Sequence, residues 1–140
     1  MDLTKFDRGV FLVNLLGIIY NPETRMVLIG KRVNDPNITE LSWVFPGGRA
    51  NYDGDLEDSL AGEILAKTGL NVTVGDVIFA KTYPERREFL SIYYLCQVTD
   101  GAELAGISIT ELKWIRPSQV TQYFTTSIHP KVLEYLVGLE

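Results

Sequence analysis

Pro46-Gly47-Gly48-Arg49 sets two glycines and an arginine just ahead of a helical stretch. Glycines let a backbone approach an anion closely, and a helix start favours negative charge. The segment is therefore a candidate phosphate cradle, although many ordinary turns also contain Gly-Gly. Further on, Glu63 and Lys67 stand at helical i and i+4 positions, in the order that favours an ion pair. A surface pair and a shared site explain that spacing equally well. Asp53, Asp55, Glu57 and Asp58 crowd the start of the same helix, where the helix dipole stabilises acidic charge. Cys96 lies in an apolar strand-like stretch from Tyr93 to Val98 and reads as a buried core thiol.

These groups need elements to hold them. Val10 to Tyr20 is nearly apolar on both faces, interrupted by Asn14, and reads as a central strand. Asn21-Pro22-Glu23-Thr24 is a turn into a second strand, Met26 to Lys31, which completes a hairpin. Val33 to Ser42 reads as a polar loop, and Trp43-Val44-Phe45 as a short strand ended by Pro46-Gly47-Gly48. Leu56 to Thr68 reads as a helix, with Leu56, Leu60, Ala61, Ile64 and Leu65 on one face. Asp55 is its expected N-cap and Gly69 its C-cap. Val72 to Tyr83, Phe89 to Val98 and Ile107 to Ile115 read as strands. Short helices follow over about Ser118 to Phe124 and His129 to Leu136, with Pro130 in the first turn of the last. The order predicts an α/β fold, a mixed sheet covered by helices on both faces. With no repeat or linker visible, residues 1–140 read as one domain.

Bulk properties narrow the function. The net charge is -5, from 13 basic and 18 acidic residues, which argues against a nucleic-acid backbone binder. It does not exclude a small anion held by two or three local arginines. One cysteine and one histidine cannot build a zinc site or an internal disulfide, and the lack of disulfides fits a cytoplasmic location. Met1 to Arg8 carries no apolar signal region, and the run Val10 to Tyr20 is too short to span a membrane.

The stretch from Gly48 to Leu70 resembles the box of the Nudix hydrolase family. That box runs from a glycine through an early glutamate, an Arg-Glu pair and a Glu-Glu pair to a closing glycine and apolar residue. With the closing glycine at Gly69, the first falls on Gly48, the first helix glutamate on Glu63 and the apolar positions on Ile64 and Leu70. The flanks match as well: Trp43 and Phe45-Pro46-Gly47-Gly48 before the box, and Leu112 to Pro117 near the end. The likeness covers about residues 10 to 138 and implies a Nudix-type α/β/α sandwich.

The departures concern metal binding. The early glutamate is replaced by Gly54, the arginine by Gly62 and the Glu-Glu pair by Ala66-Lys67. Magnesium binding favours several oxygen ligands. The resemblance leaves Glu63 and the Gly48 carbonyl to hold a weakly bound Mg2+, or Mn2+, with Asp55 or Glu57 as stand-ins. Lys67 would set an ammonium near the family's metal position. A narrower likeness is to GDP-mannose mannosyl hydrolases, carried by Gly30-Lys31-Arg32, Asn34, Pro36 and Trp43 to Arg49. It implies diphosphate binding by Arg32 and Arg49, and activation of water by His129. His129 serves equally well as a helix cap. The expected function is hydrolysis of a nucleoside diphosphate linked to another moiety, a nucleotide sugar first, with His129 and Glu63 catalytic and Arg32, Arg49 and Lys67 binding substrate. The alternative is a catalytically impaired nucleotide-binding or regulatory domain. The expected partner is a nucleotide or nucleotide-sugar, with no nucleic acid or membrane; a homodimer is left open. Tyr83, Tyr93 and Tyr94 are candidates to stack on a base, although strand tyrosines more often belong to the core or its rim.

Overall fold

The computed structural model describes residues 8–32 and 42–140. The expected loop from Val33 to Ser42, with Asn34 and Pro36, lies outside them apart from Ser42. The strands are β1 (Leu12–Asn21), β2 (Met26–Arg32), β3 (Trp43–Val44), β4 (Gly47–Arg49), β5 (Leu70–Thr82), β6 (Phe89–Gly101) and β7 (Ile109–Ile115). Helix α1 (Leu56–Thr68) sits between β4 and β5; a 3-10 turn (Pro117–Gln119), α2 (Val120–Tyr123) and α3 (Pro130–Gly138) follow β7.

The described strands form one mixed sheet with the path β3-β2-β1-β6-β5; β4 adds to β1 and β7 to β2. β1 runs parallel to β6 in unbroken register from Leu12–Phe89 to Ile19–Cys96. Residues alternate across the sheet, so β1 feeds two cores. Leu15 and Ile19 join Leu60 and Ile64 of α1, together with Tyr94 and Cys96. Ile18 joins Phe45, Tyr93, Val120, Val132 and Leu136 beneath the C-terminal helices. This is why the Val10–Tyr20 run is apolar on both faces, and the layers are those of an α/β/α sandwich.

Helix α1 has the bounds its sequence predicts. Gly69 takes the left-handed conformation, φ 74°, and its N–H donates to the Leu65 carbonyl. Asp55 occupies the N-cap with extended backbone but makes no side-chain cap bond. The buried stripe is narrower than expected. Leu60, Ile64 and Thr68 are buried, whereas Leu56 and Leu65 are exposed. A single row at i, i+4 and i+8 suffices to pack α1 on β1, because Gly17 lets Ile64 approach the strand closely.

Four further expectations change. Gly47-Gly48-Arg49 is a strand, not just the end of one: Gly47 pairs with Leu16, Gly48 with Leu15 and Arg49 with Asn14. The expected strand over Val72 to Tyr83 begins two residues earlier, directly after the Gly69 cap. The strand expected to end at Val98 continues to Gly101, which pairs with Leu70. The strand expected from Ile107 begins at Ile109, since Ser108 has φ 63° and breaks extended backbone.

Candidate functional site

Antiparallel pairing with β1 turns the Gly-Gly-Arg strand along one wall of a cleft of about 420 Å³. Its lining includes Arg32 from the end of β2, Arg49 from β4 and Lys67 from α1. Asn14, Trp43, Tyr83, Phe89, Tyr93 and Ser127 also line it. Three cations thus face one cavity and no Asp or Glu is among the described residues lining it, in a chain with net charge -5. Such a cavity has a positive field that concentrates anions.

Burial of Leu60, Ile64 and Thr68 fixes the rotation of α1. The flanking positions, Glu63 and Lys67, then point at β4. The Lys67 side chain is 14% exposed, and its Nζ lies 3.2 Å from Glu63 Oε2 and donates to the Gly47 carbonyl. Glu63 packs directly against Gly48: a β-carbon there would fall 2.5 Å from Glu63 Oε2. Glu63 therefore stands behind the Gly48 wall, at the border of the cleft, while Lys67 enters it. The pair occupies the face and neighbourhood expected from the sequence, and the carbonyl it engages is that of Gly47.

Aromatic rings shape the remaining walls. Trp43 meets Tyr123 edge-on at 5.4 Å between centroids, and the Arg49 guanidinium lies 5.8 Å over the Phe89 ring. Tyr93 reaches the cleft from the buried side, and burial raises its phenol pKa far above the usual value. Tyr94 alternates to the opposite face, in the core under α1, so of the three tyrosines Tyr83 is the partly exposed one at the cleft. Cys96 is buried, and burial pushes its thiol up to about 12, as expected of a core thiol.

His129 is placed elsewhere. It is the N-cap of α3, its Nδ1 accepts from the Lys131 N–H at 3.1 Å, and its ring lies 4.6 Å from that of Phe79. Its neighbours Ser127 and Ile128 line the cleft but His129 does not. The capping role fits this geometry. His129→Gln should cost about 1 kcal/mol of stability in a urea titration and leave turnover nearly unchanged. A fall in turnover of about 100-fold in a fully folded variant would restore His129 as the base.

Carboxylates elsewhere in the chain have partners of their own. Glu88 pairs with Arg86 at 2.7 Å, Asp100 accepts from Asn71 at 2.6 Å, and Glu103 accepts from the Trp114 indole. Asp53, Asp55, Glu57 and Asp58 are exposed at the start of α1. No cluster of three or more His, Cys, Asp or Glu able to hold a metal occurs among the described residues. Glu85 accepts from the Ser127 hydroxyl at 2.8 Å, tying the cleft loop to the β5–β6 connection. That hydrogen bond holds the Glu85 carboxyl below its ordinary value. A depressed carboxylate contributes stability above its unfolded value and loses it as pH falls through the folded one. The Ser127 amide should therefore keep its hydrogen-exchange protection down to about pH 5 and lose it below the ordinary Glu range near 4. Glu85→Gln should remove that dependence.

Several lining residues were not singled out from sequence. Asn14 left a trace, as the one polar interruption of an apolar strand. Ser127 and Phe89 left none: only the fold brings Phe89 of β6 beneath Arg49 and the segment before α3 to the cleft.

A NUDIX domain family model matches residues 11–136. A "MutT-like protein" of Streptomyces ambofaciens is 23% identical over 128 residues, covering 90% of this chain and 77% of the relative. A NUDIX hydrolase from Nitrosomonas europaea superposes with TM-score 0.75 at 18% identity, over 92% of this chain and 72% of that one. An ADP-ribose pyrophosphatase from Streptococcus suis superposes with TM-score 0.63 at 15% identity, over 91% and 88%. None of the described helices is long and apolar enough to cross a membrane.

Proposed function

The chain belongs to the NUDIX domain family, a family of hydrolases, and from that premise we propose that it hydrolyses a nucleoside diphosphate linked to another moiety, a nucleotide sugar first. The observation that carries this is the charge of the cleft: Arg32, Arg49 and Lys67 line it with no acidic side chain among the described lining. Arginine forks match the geometry of diphosphate oxygens, and the ammonium of Lys67, its charge balanced by Glu63, adds a further hydrogen-bond donor. Trp43 and Tyr83 offer aromatic surface for a base. The likeness of Arg32 and Trp43 to Arg49 to GDP-mannose mannosyl hydrolases supports a sugar as the second moiety. So does the structural neighbour named for ADP-ribose, itself a nucleoside diphosphate joined to a sugar.

Family members generally use divalent metal ions such as Mg2+. The residues present here do not fit such an ion. Glu63 is the one carboxylate on that helix face, and the Lys67 ammonium already bonds both it and the Gly47 carbonyl. A dication about 4 Å from an ammonium would be repelled by roughly 8 kcal/mol at an effective dielectric near 20. The reaction is therefore assigned to side chains alone. Arg32, Arg49 and Lys67 bind and orient the diphosphate. Glu63 does not itself line the cleft; 36% exposed behind Gly48, it takes the proton of a water that enters beside Lys67.

Arg49→Ala should weaken binding of a nucleoside diphosphate by about 30- to 150-fold, the loss expected of charge-assisted hydrogen bonds worth about 2 to 3 kcal/mol. Calorimetric titration checks this, and an unchanged Kd would remove Arg49 from the site. The function itself is tested by incubating the protein with a panel of nucleotides and nucleotide sugars and analysing the products. Free sugar plus nucleoside diphosphate marks attack at the sugar carbon; sugar phosphate plus nucleoside monophosphate marks attack at phosphorus. Binding without product from any substrate favours the second reading, a nucleotide-binding or regulatory domain, for which the Lys67–Glu63 pair is the supporting observation.

A further inference from the structure

We propose that Lys67 is a built-in replacement for a divalent cation, so that the cleft binds the phosphoanhydride of its ligand without metal. The inference rests on the diphosphate-binding reading above and adds how the charge is met. The Lys67 side chain is largely covered, and its Nζ meets Glu63 Oε2 at 3.2 Å and donates to the Gly47 carbonyl. One carboxylate oxygen and one backbone carbonyl are hard oxygen donors of the kind a magnesium ion takes. Here an ammonium occupies both. A lysine has three N–H donors; one goes to the Gly47 carbonyl and the Glu63 contact is an ion pair, which leaves donor capacity for a ligand oxygen in the cleft that Lys67 lines.

The surroundings are arranged around that ammonium. Gly48 has no side chain, and the Glu63 carboxylate fills the space a β-carbon would take. This brings the carboxylate over β4, where it can hold Lys67 against Gly47. Glu63 and Lys67 together are neutral, so the pair leaves the positive field of Arg32 and Arg49 intact. The next position back along the chain, Ala66, brings no charge to offset it. A pair on an unconstrained surface would lie in solvent, whereas Lys67 is largely covered and bonded at two points.

The test uses the whole chain and GDP as probe, by isothermal calorimetry in EDTA and again in excess MgCl2. Manganese binding to the nucleotide-free protein is read in parallel by electron paramagnetic resonance. The proposal expects GDP to bind wild type in EDTA with an affinity not raised by magnesium, and no micromolar manganese site. Lys67→Met, which keeps the apolar stem, should lose about 10- to 100-fold in GDP affinity. Lys67→Glu, which sets a second carboxylate beside Glu63, should gain manganese binding. GDP binding that requires magnesium, a micromolar manganese site in wild type, or equal GDP affinity in Lys67→Met would each overturn the proposal and leave diphosphate binding standing. No GDP binding by wild type with or without magnesium would overturn the diphosphate reading itself, and the proposal with it.

Discussion

Glu63→Gln should lower turnover of the nucleotide substrate by about 100- to 10,000-fold while leaving the protein folded. The amide preserves the size of the side chain and its contact with Gly48, so α1 stays docked. What is lost is the negative charge. An amide cannot take a proton from water, and it holds the Lys67 ammonium less firmly than the carboxylate does at 3.2 Å. Binding and chemistry separate the two effects. Loss of the base lowers turnover with nucleotide affinity kept within a few-fold, whereas displacement of Lys67 weakens binding as well. Single-turnover kinetics with a parallel calorimetric Kd measures both. Undiminished turnover in the folded variant would exclude Glu63 as the base.

The second large effect is on the fold. Gly47→Ala should destabilise the protein by about 3 kcal/mol or more, since a β-carbon at that position would overlap the carbonyl of Leu15 in the paired strand. Backbone atoms cannot swing aside as a flexible side chain does, so β4 must separate from β1. Separation moves Arg49 away from Asn14 and withdraws the Gly47 carbonyl from Lys67. Stability and nucleotide binding should therefore fall together. Urea unfolding measures the first, and a midpoint equal to that of wild type would mean that β4 tolerates a side chain.

These two glycines show where reading the sequence works and where it stops. Helix α1 is legible because its caps and apolar spacing are local: Asp55 and Gly69 bracket it at the observed bounds. The central strand is legible because both its faces are apolar. The strand character of Gly47-Gly48 is not, since glycine has low strand propensity and only the Leu15 and Leu16 backbone makes it a strand. The exposure of Leu56 and Leu65 is likewise set by how closely α1 lies on Gly17, which no helical periodicity reports.

The site divides in the same way. Arg49 and the Glu63–Lys67 pair follow from spacing within one segment, and they converge. Arg32 comes from a distant strand end and reaches the cleft through the pairing of β2 with β7 and β3. His129 fails to join them because Pro130 starts α3 directly after it, which commits its ring to the helix end and to Phe79. Its chemical type suits a base, but its position serves a cap.

Arg32, Arg49 and Lys67, in a cleft with no acidic side chain among its described lining, recognise a phosphoanhydride in this reading. Its most direct test is parallel calorimetric titration with guanosine and GDP at low and high salt. The account predicts that GDP binds, that guanosine binds at least about 100-fold more weakly, and that the difference shrinks as added salt screens the cleft. Equal affinity for guanosine and GDP, unaffected by salt, would contradict it.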